Sequence, residues 1–165
     1  MEDYGAKNEA RDTAGAFHWI IGLLKARGVP FRLTGGFAAR LYGATRELAD
    51  IDVEIPDDRM AELSADISHF LTFGPERYRD DEWDLPLATL VFAGQEIDLC
   101  GVYAAKIFDR FRQEWISYPA DFDSVTRLTA YGLEAPVIPK SVLVDYKRKL
   151  GRKVDLADVE ELSGP

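Results

Sequence analysis

Residues 50–55 read Asp-Ile-Asp-Val-Glu-Ile. Strict alternation of acid and β-branched residue is a strand pattern, because successive side chains point to opposite faces. Ile51 and Val53 can anchor such a strand in a core. Asp50 and Asp52 then stand on the other face, about 7 Å apart at Cα. Two carboxylates that close repel one another and raise a pKa. A hard divalent cation such as Mg2+ or Mn2+ removes the penalty. A second acid between apolar neighbours, Asp98 between Ile97 and Leu99, extends the pattern, with Glu96 on its face. If the two strands are neighbours, Asp50, Asp52 and Asp98 form a three-carboxylate metal cluster. Paired aspartates near a strand end also occur as caps, so Asp-x-Asp alone decides nothing.

Around this strand the order is α/β. Asp12 or Thr13 caps a helix over 13–27 with Phe17, Ile20, Ile21 and Leu24 on one face, ended by Gly28. Phe31 to Thr34 is a short buried strand, followed by Gly35-Gly36 and a helix near 37–42. Pro56 closes the acidic strand, and Asp57 or Asp58 caps a helix to Leu71. Residues 76–84 carry five acids and two arginines and are expected as an exposed loop. A hairpin over 87–92 and 96–100, a helix over 103–114 and a hairpin over 125–131 and 135–138 follow. A helix from Pro139 ends at Gly151, and a last helix covers 155–162.

Gly35-Gly36 lies between a strand and a helix. Without Cβ atoms the backbone can approach a ligand, and helix N-terminal amides attract phosphate. An ordinary tight turn has the same sequence. Thirteen residues separate Gly36 from Asp50, enough for a helix and a return strand. That brings phosphate cradle and carboxylates to one end of a sheet.

The run Leu33-Thr34-Gly35-Gly36, Arg46 and Asp50-Ile51-Asp52-Val53 resembles the signature of the nucleotidyltransferase superfamily with the DNA polymerase β type fold. Within it the likeness is to small bacterial aminoglycoside and lincosamide nucleotidyltransferases and to those of toxin–antitoxin systems. Pro136-Val137-Ile138-Pro139, then Lys147, Arg152, Asp155 and Asp158, resembles their C-terminal ending. The resemblance implies an α/β (α+β) fold, a small mixed sheet flanked by helices. It implies that Gly35, Gly36 and Arg46 hold nucleotide phosphates and that Asp50 and Asp52 bind metal. Asp98 would be the third ligand or the catalytic base that takes the acceptor's proton. Two positions depart from the pattern: Thr34 replaces an aliphatic residue and Leu48 a polar one.

The expected reaction is Mg2+-dependent transfer of a nucleoside monophosphate from ATP or another nucleoside triphosphate to an acceptor hydroxyl. A catalytically silent nucleotide- or partner-binding module, or a toxin–antitoxin enzyme acting on protein or tRNA, is the alternative. Lys147 either reaches a phosphate or lies on a solvated helix face. Arg152, Asp155 and Asp158 either touch the nucleotide or pin the last helix by salt bridges. Trp83 and Tyr78 could stack on an acceptor or be incidental loop aromatics. His18 and His69 have no Cys or His at ligand spacing and are expected to be structural.

Composition narrows the partners. The 165 residues suit one domain, with residues 1–11 expected to fray. A net charge of −9 disfavours nucleic acid and favours a small, cationic, hydroxylated acceptor. Cys100 is the single cysteine, so no internal disulfide forms. With no signal peptide pattern and no run long enough to span a membrane, the expected location is the cytoplasm. A homodimer could complete the acceptor pocket.

Overall fold

A computed structural model describes residues 10–164. The expected fraying of residues 1–9 lies outside them. The Arg11 guanidinium donates to the Leu48 carbonyl at 2.6 Å.

Among the described residues nine strands form one mixed sheet: β1 (Arg32–Thr34), β2 (Asp50–Ile55), β3 (Leu71–Arg79), β4 (Trp83–Phe92), β5 (Gln95–Gly101), β6 (Lys106–Asp109), β7 (Glu114–Ser117), β8 (Thr126–Ala130) and β9 (Leu133–Val137). Their order is β7-β6-β4-β5-β2-β1-β9-β8, with β3 added on β4. The acidic strand β2 is central, antiparallel to β1 and parallel to β5. Ile51, Val53, Ile97 and Leu99 on one face are fully buried, and helix α1 (Thr13–Ala26) lies against β5. Asp12 caps α1 by accepting from the Gly15 amide at 2.9 Å. Phe17, Ile20, Ile21 and Leu24 of α1 are buried, as their spacing requires.

Helix α2 (Gly35–Leu41) begins directly on β1 rather than at residue 37. The helix expected over 57–71 is instead a chain of 3-10 turns around one α-helical turn, α3 (Ser64–Ile67). The physical reason is the loss of its cap. Asp57 accepts from the amides of Tyr103 and Ala104, at 2.8 and 2.9 Å, and not from its own helix.

Two further expectations fail. Residues 76–84 are not a loop: they close the β3–β4 hairpin, with only 80–82 in the turn. The charges fit because β3 is an edge strand with one flank in solvent, and Arg77 pairs Asp84 across the hairpin at 2.6 Å. The turn is set by Asp80, which accepts from the amides of Glu82 and Trp83. The helix expected over 103–114 is the β6–β7 hairpin. Asp109 accepts from the amides of Phe111 and Arg112, and this local turn outcompetes a helix.

The C-terminal expectations hold. Helix α4 (Lys140–Leu150) ends at Gly151 in the left-handed conformation, and α5 (Lys153–Ser163) follows. No described helix is long and apolar enough to cross a membrane.

Candidate active site

Parallel pairing of β2 and β5 places Asp52 opposite Asp98 and Asp50 opposite Glu96. Alternation puts all four acids on the face turned away from α1. One carboxylate oxygen from each of Asp50, Asp52 and Asp98 lies within 4.8 Å of the others. The three acids open into a cleft of about 480 Å³ that also takes in Gly35, Gly36, Arg46 and Lys147. Sequence reasoning named all seven, and the fold brings them together.

Electrostatics of the cluster are those of uncompensated negative charge. Burial, reinforced by Asp50 and Glu96 and opposed by a 2.7 Å hydrogen bond from Thr89, pushes the Asp98 carboxyl up to about 7. Asp52 is pushed up by burial and by the charges of Asp50 and Asp98, with Lys147 acting the other way. Three oxygen donors in this state fit a hard divalent cation, whose charge would reverse these shifts. Cys100, beside them on β5, is held protonated by burial and by the same acids, so it is a poor nucleophile.

Glycine is required at position 35. Its φ is +63°, and a Cβ there would stand 2.8 Å from Asp52 Cγ and overlap Oδ2. At position 36 a Cβ would meet Arg46 Nη2 at 2.7 Å. The glycine pair thus lets the turn lie flat against a carboxylate on one side and a guanidinium on the other. Helix α2 has only seven residues, so close approach of the backbone, more than a helix dipole, distinguishes this turn.

Thr34, the departure from the aliphatic pattern, has its hydroxyl 3.1 Å from those of both Tyr118 and Tyr146. Tyr146 also accepts from the Gly35 amide at 3.0 Å. Behind them Glu54 takes Arg32 and Tyr118 as partners in a fully buried cluster. The same Arg32 donates to the carbonyls of Pro119, Asp121 and Ser124, which fixes the loop before β8. Nothing in the local pattern of the sequence marks Tyr118, Tyr146 or Thr89 as site residues, since each is delivered by a long-range pairing.

Lys147 is not on a solvated face. It is 2 % exposed, with Nζ 3.0 Å from Asp158 and 3.4 Å from Asp155. Arg46 pairs with Asp158 and Arg152 with Asp155. Of the two readings of Arg152, Asp155 and Asp158, the salt bridges are therefore present. Trp83 and Tyr78 sit in the cleft wall, and Trp83 packs edge-on against Tyr146 at a centroid distance of 6.0 Å. His18 binds the Tyr131 carbonyl, away from the cleft.

The same arrangement of elements is found in solved structures. A nucleotidyltransferase-type protein from Thermotoga maritima superposes with a TM-score of 0.65 at 18 % identity, covering 92 % of this chain and 94 % of its own. The fold is the nucleotidyltransferase fold. The lincosamide antibiotic adenylyltransferase LnuA, solved with lincomycin, matches with a TM-score of 0.60 at 12 % identity over 93 % of this chain and 98 % of its own. ANT(2")-Ia, solved with adenylyl-2"-tobramycin, gives 0.59 at 16 % identity over 90 % and 86 %. No family model matches the sequence, and no curated protein matches it significantly.

Proposed function

We propose that this protein is a nucleotidyltransferase that moves a nucleoside monophosphate from a nucleoside triphosphate to a hydroxyl of a small molecule. One observation carries the reading: Asp50, Asp52 and Asp98 converge in a cleft bordered by a glycine turn that only glycine can make. The nucleotidyltransferase fold supports it.

Asp50, Asp52 and Asp98 would hold Mg2+ or Mn2+. When bound, the metal offsets charge on the α-phosphate and the departing pyrophosphate. The chain's own residues do the rest. Gly35 and Gly36 admit the phosphates, and the arginine edge of the cleft faces their charge. The acceptor oxygen forms a bond to the α-phosphorus as the bond to the pyrophosphate oxygen breaks. Asp98, opposite Asp52 on the neighbouring strand, receives the acceptor's proton. Of the structures similar to this chain, one is an antibiotic adenylyltransferase solved with lincomycin and another, ANT(2")-Ia, is solved with adenylyl-2"-tobramycin. With Glu47, Asp80 and Glu96 lining the cleft, this favours a small, polyhydroxylated, cationic acceptor over nucleic acid. A cytoplasmic location fits both substrates.

The test is pyrophosphate release from ATP, GTP, CTP and UTP with Mg2+ over a panel of aminated polyols and sugars. Acceptor-dependent release is expected. Metal-dependent nucleotide binding with no release across the panel would instead identify a silent binding module.

A further inference from the structure

Three buried hydroxyls connect the glycine turn to a buried ion pair. The Gly35 amide donates to the Tyr146 hydroxyl at 3.0 Å. The Thr34 hydroxyl lies 3.1 Å from that of Tyr146 and 3.1 Å from that of Tyr118. Tyr118 in turn donates to Glu54, the partner of Arg32. Thr34, Tyr118 and Tyr146 are all buried.

Counting protons fixes the direction of this chain. An amide only donates, and a carboxylate held against a guanidinium only accepts. Tyr118 spends its one proton on Glu54. The Thr34–Tyr118 contact therefore takes the Thr34 proton, and the Thr34–Tyr146 contact takes the Tyr146 proton. Burial pushes both phenols up, so each keeps the proton it donates. One arrangement satisfies every member, and it ends with the Tyr146 oxygen accepting from Gly35.

That end point is where the fold needs a fixed atom. Gly35 has a φ of +63°, a conformation that glycine enters and leaves with equal ease. Its neighbour does not hold it: Thr34 is the N-cap of α2, yet its side chain makes no capping bond. Tyr146 caps the amide from α4 instead. Its ring is held edge-on by Trp83 and Tyr118, at centroid distances of 6.0 and 5.3 Å, so the hydroxyl has no room to swing. Thr34 is also the register partner of Asp52, and Asp52 packs so closely on Gly35 that a Cβ would overlap it. An aliphatic side chain at 34 would leave the buried Tyr146 proton without an acceptor.

We propose that Tyr146 and Thr34 are positioning residues: through the Gly35 amide they hold the glycine turn, and with it the Asp52 carboxylate, in place for the metal cluster. The inference rests on the nucleotidyltransferase reading for the use of that carboxylate. It gives a role to the residue at which this chain leaves the aliphatic pattern.

The test follows exchange of the Gly35 amide by nuclear magnetic resonance in chelator and Mn2+ binding by electron paramagnetic resonance. Melting temperature reports the fold. Tyr146→Phe keeps the ring and loses the hydroxyl, and Thr34→Val keeps the volume and loses the hydroxyl. Each is expected to speed Gly35 exchange about tenfold or more and to weaken Mn2+ binding about tenfold. Thr34→Ser retains the hydroxyl and should bring both readings back to within about twofold of the parent. Tyr118→Phe cuts the chain beyond Thr34 and leaves Tyr146 bonded to Thr34 and Gly35. It should lower the melting temperature and keep Gly35 exchange within about twofold. Parent-like Gly35 exchange in folded Tyr146→Phe overturns the proposal, and Thr34→Val decides in the same way if Tyr146→Phe does not fold. Faster exchange with unchanged Mn2+ affinity also overturns it, since Asp52 would then keep its place without the turn. Equal effects of Tyr118→Phe and Tyr146→Phe on both readings overturn it by assigning the hydroxyls to the fold alone. A parent that binds no Mn2+ loses the metal-dependent reading, and Gly35 exchange still decides whether the hydroxyls hold the turn.

Discussion

Gly35 and Asp52 are in such close approach that no side chain fits between them: a Cβ on residue 35 would stand 2.8 Å from the aspartate's Cγ. The glycine turn and the acidic strand are therefore one construction. Gly35→Ala must relieve the clash by moving Asp52 and must also hold alanine at a φ of +63°. The backbone strain alone is worth about 1–2 kcal/mol. A lower melting temperature and weakened Mn2+ binding are expected together, and unchanged Mn2+ affinity would show that Asp52 can move without consequence.

Asp52→Asn should separate chemistry from stability. It removes a charge that burial and two neighbouring acids already oppose. Turnover is expected to vanish while the melting temperature of the metal-free protein stays similar or rises. A large fall in stability would make Asp52 a structural residue.

Glu54→Gln, two residues along the same strand, should behave in the opposite way. Arg32 is 1 % exposed and depends on Glu54 for its counter-charge. Breaking a buried pair from one side costs about 3–5 kcal/mol. Urea denaturation should register a loss of that order, and a loss below about 1 kcal/mol would mean that water reaches Arg32.

The chelated protein should lose stability as pH rises through about 7. Asp98 binds its proton more tightly folded than unfolded, because burial and nearby acids lift its pKa to about 7. Its contribution is thus fully present below the unfolded value near 4 and is lost as pH climbs past the folded one. Melting temperatures from pH 5 to 8 in chelator should show this decline, and Mg2+ should reduce it. Thr89→Val removes the hydrogen bond that favours the charged form, so the decline should move to higher pH.

Local patterning carried much of this architecture. The Asp-Ile-Asp-Val-Glu-Ile alternation, the 3.6-residue apolar spacing in α1 and the Gly151 stop of α4 are each set within one element, and each was legible. The helix expected over 103–114 failed to a local turn at Asp109; the other errors arose where tertiary placement overrides the local pattern. Asp57 looks like a helix cap and instead caps amides 46 residues away. The charges at 76–84 suggest a solvated loop, yet the edge position of β3 accommodates them. At the site, Asp50, Asp52 and Asp98 could be named because chemistry required a strand face. Tyr118 and Tyr146 could not, since their place beside Thr34 exists only after β1, β2 and α4 have come together.

The pairing of Arg46 with Asp158 spans more than a hundred residues of chain, and Lys147 shares the same carboxylate. During synthesis on the ribosome, those cations lack their counter-ion until α5 has left the exit tunnel. The acidic strand pair can assemble well before that. The nascent chain therefore passes through a stage in which the carboxylate half of the cleft exists and the cationic half is still unset, and only the arrival of α5 ends it.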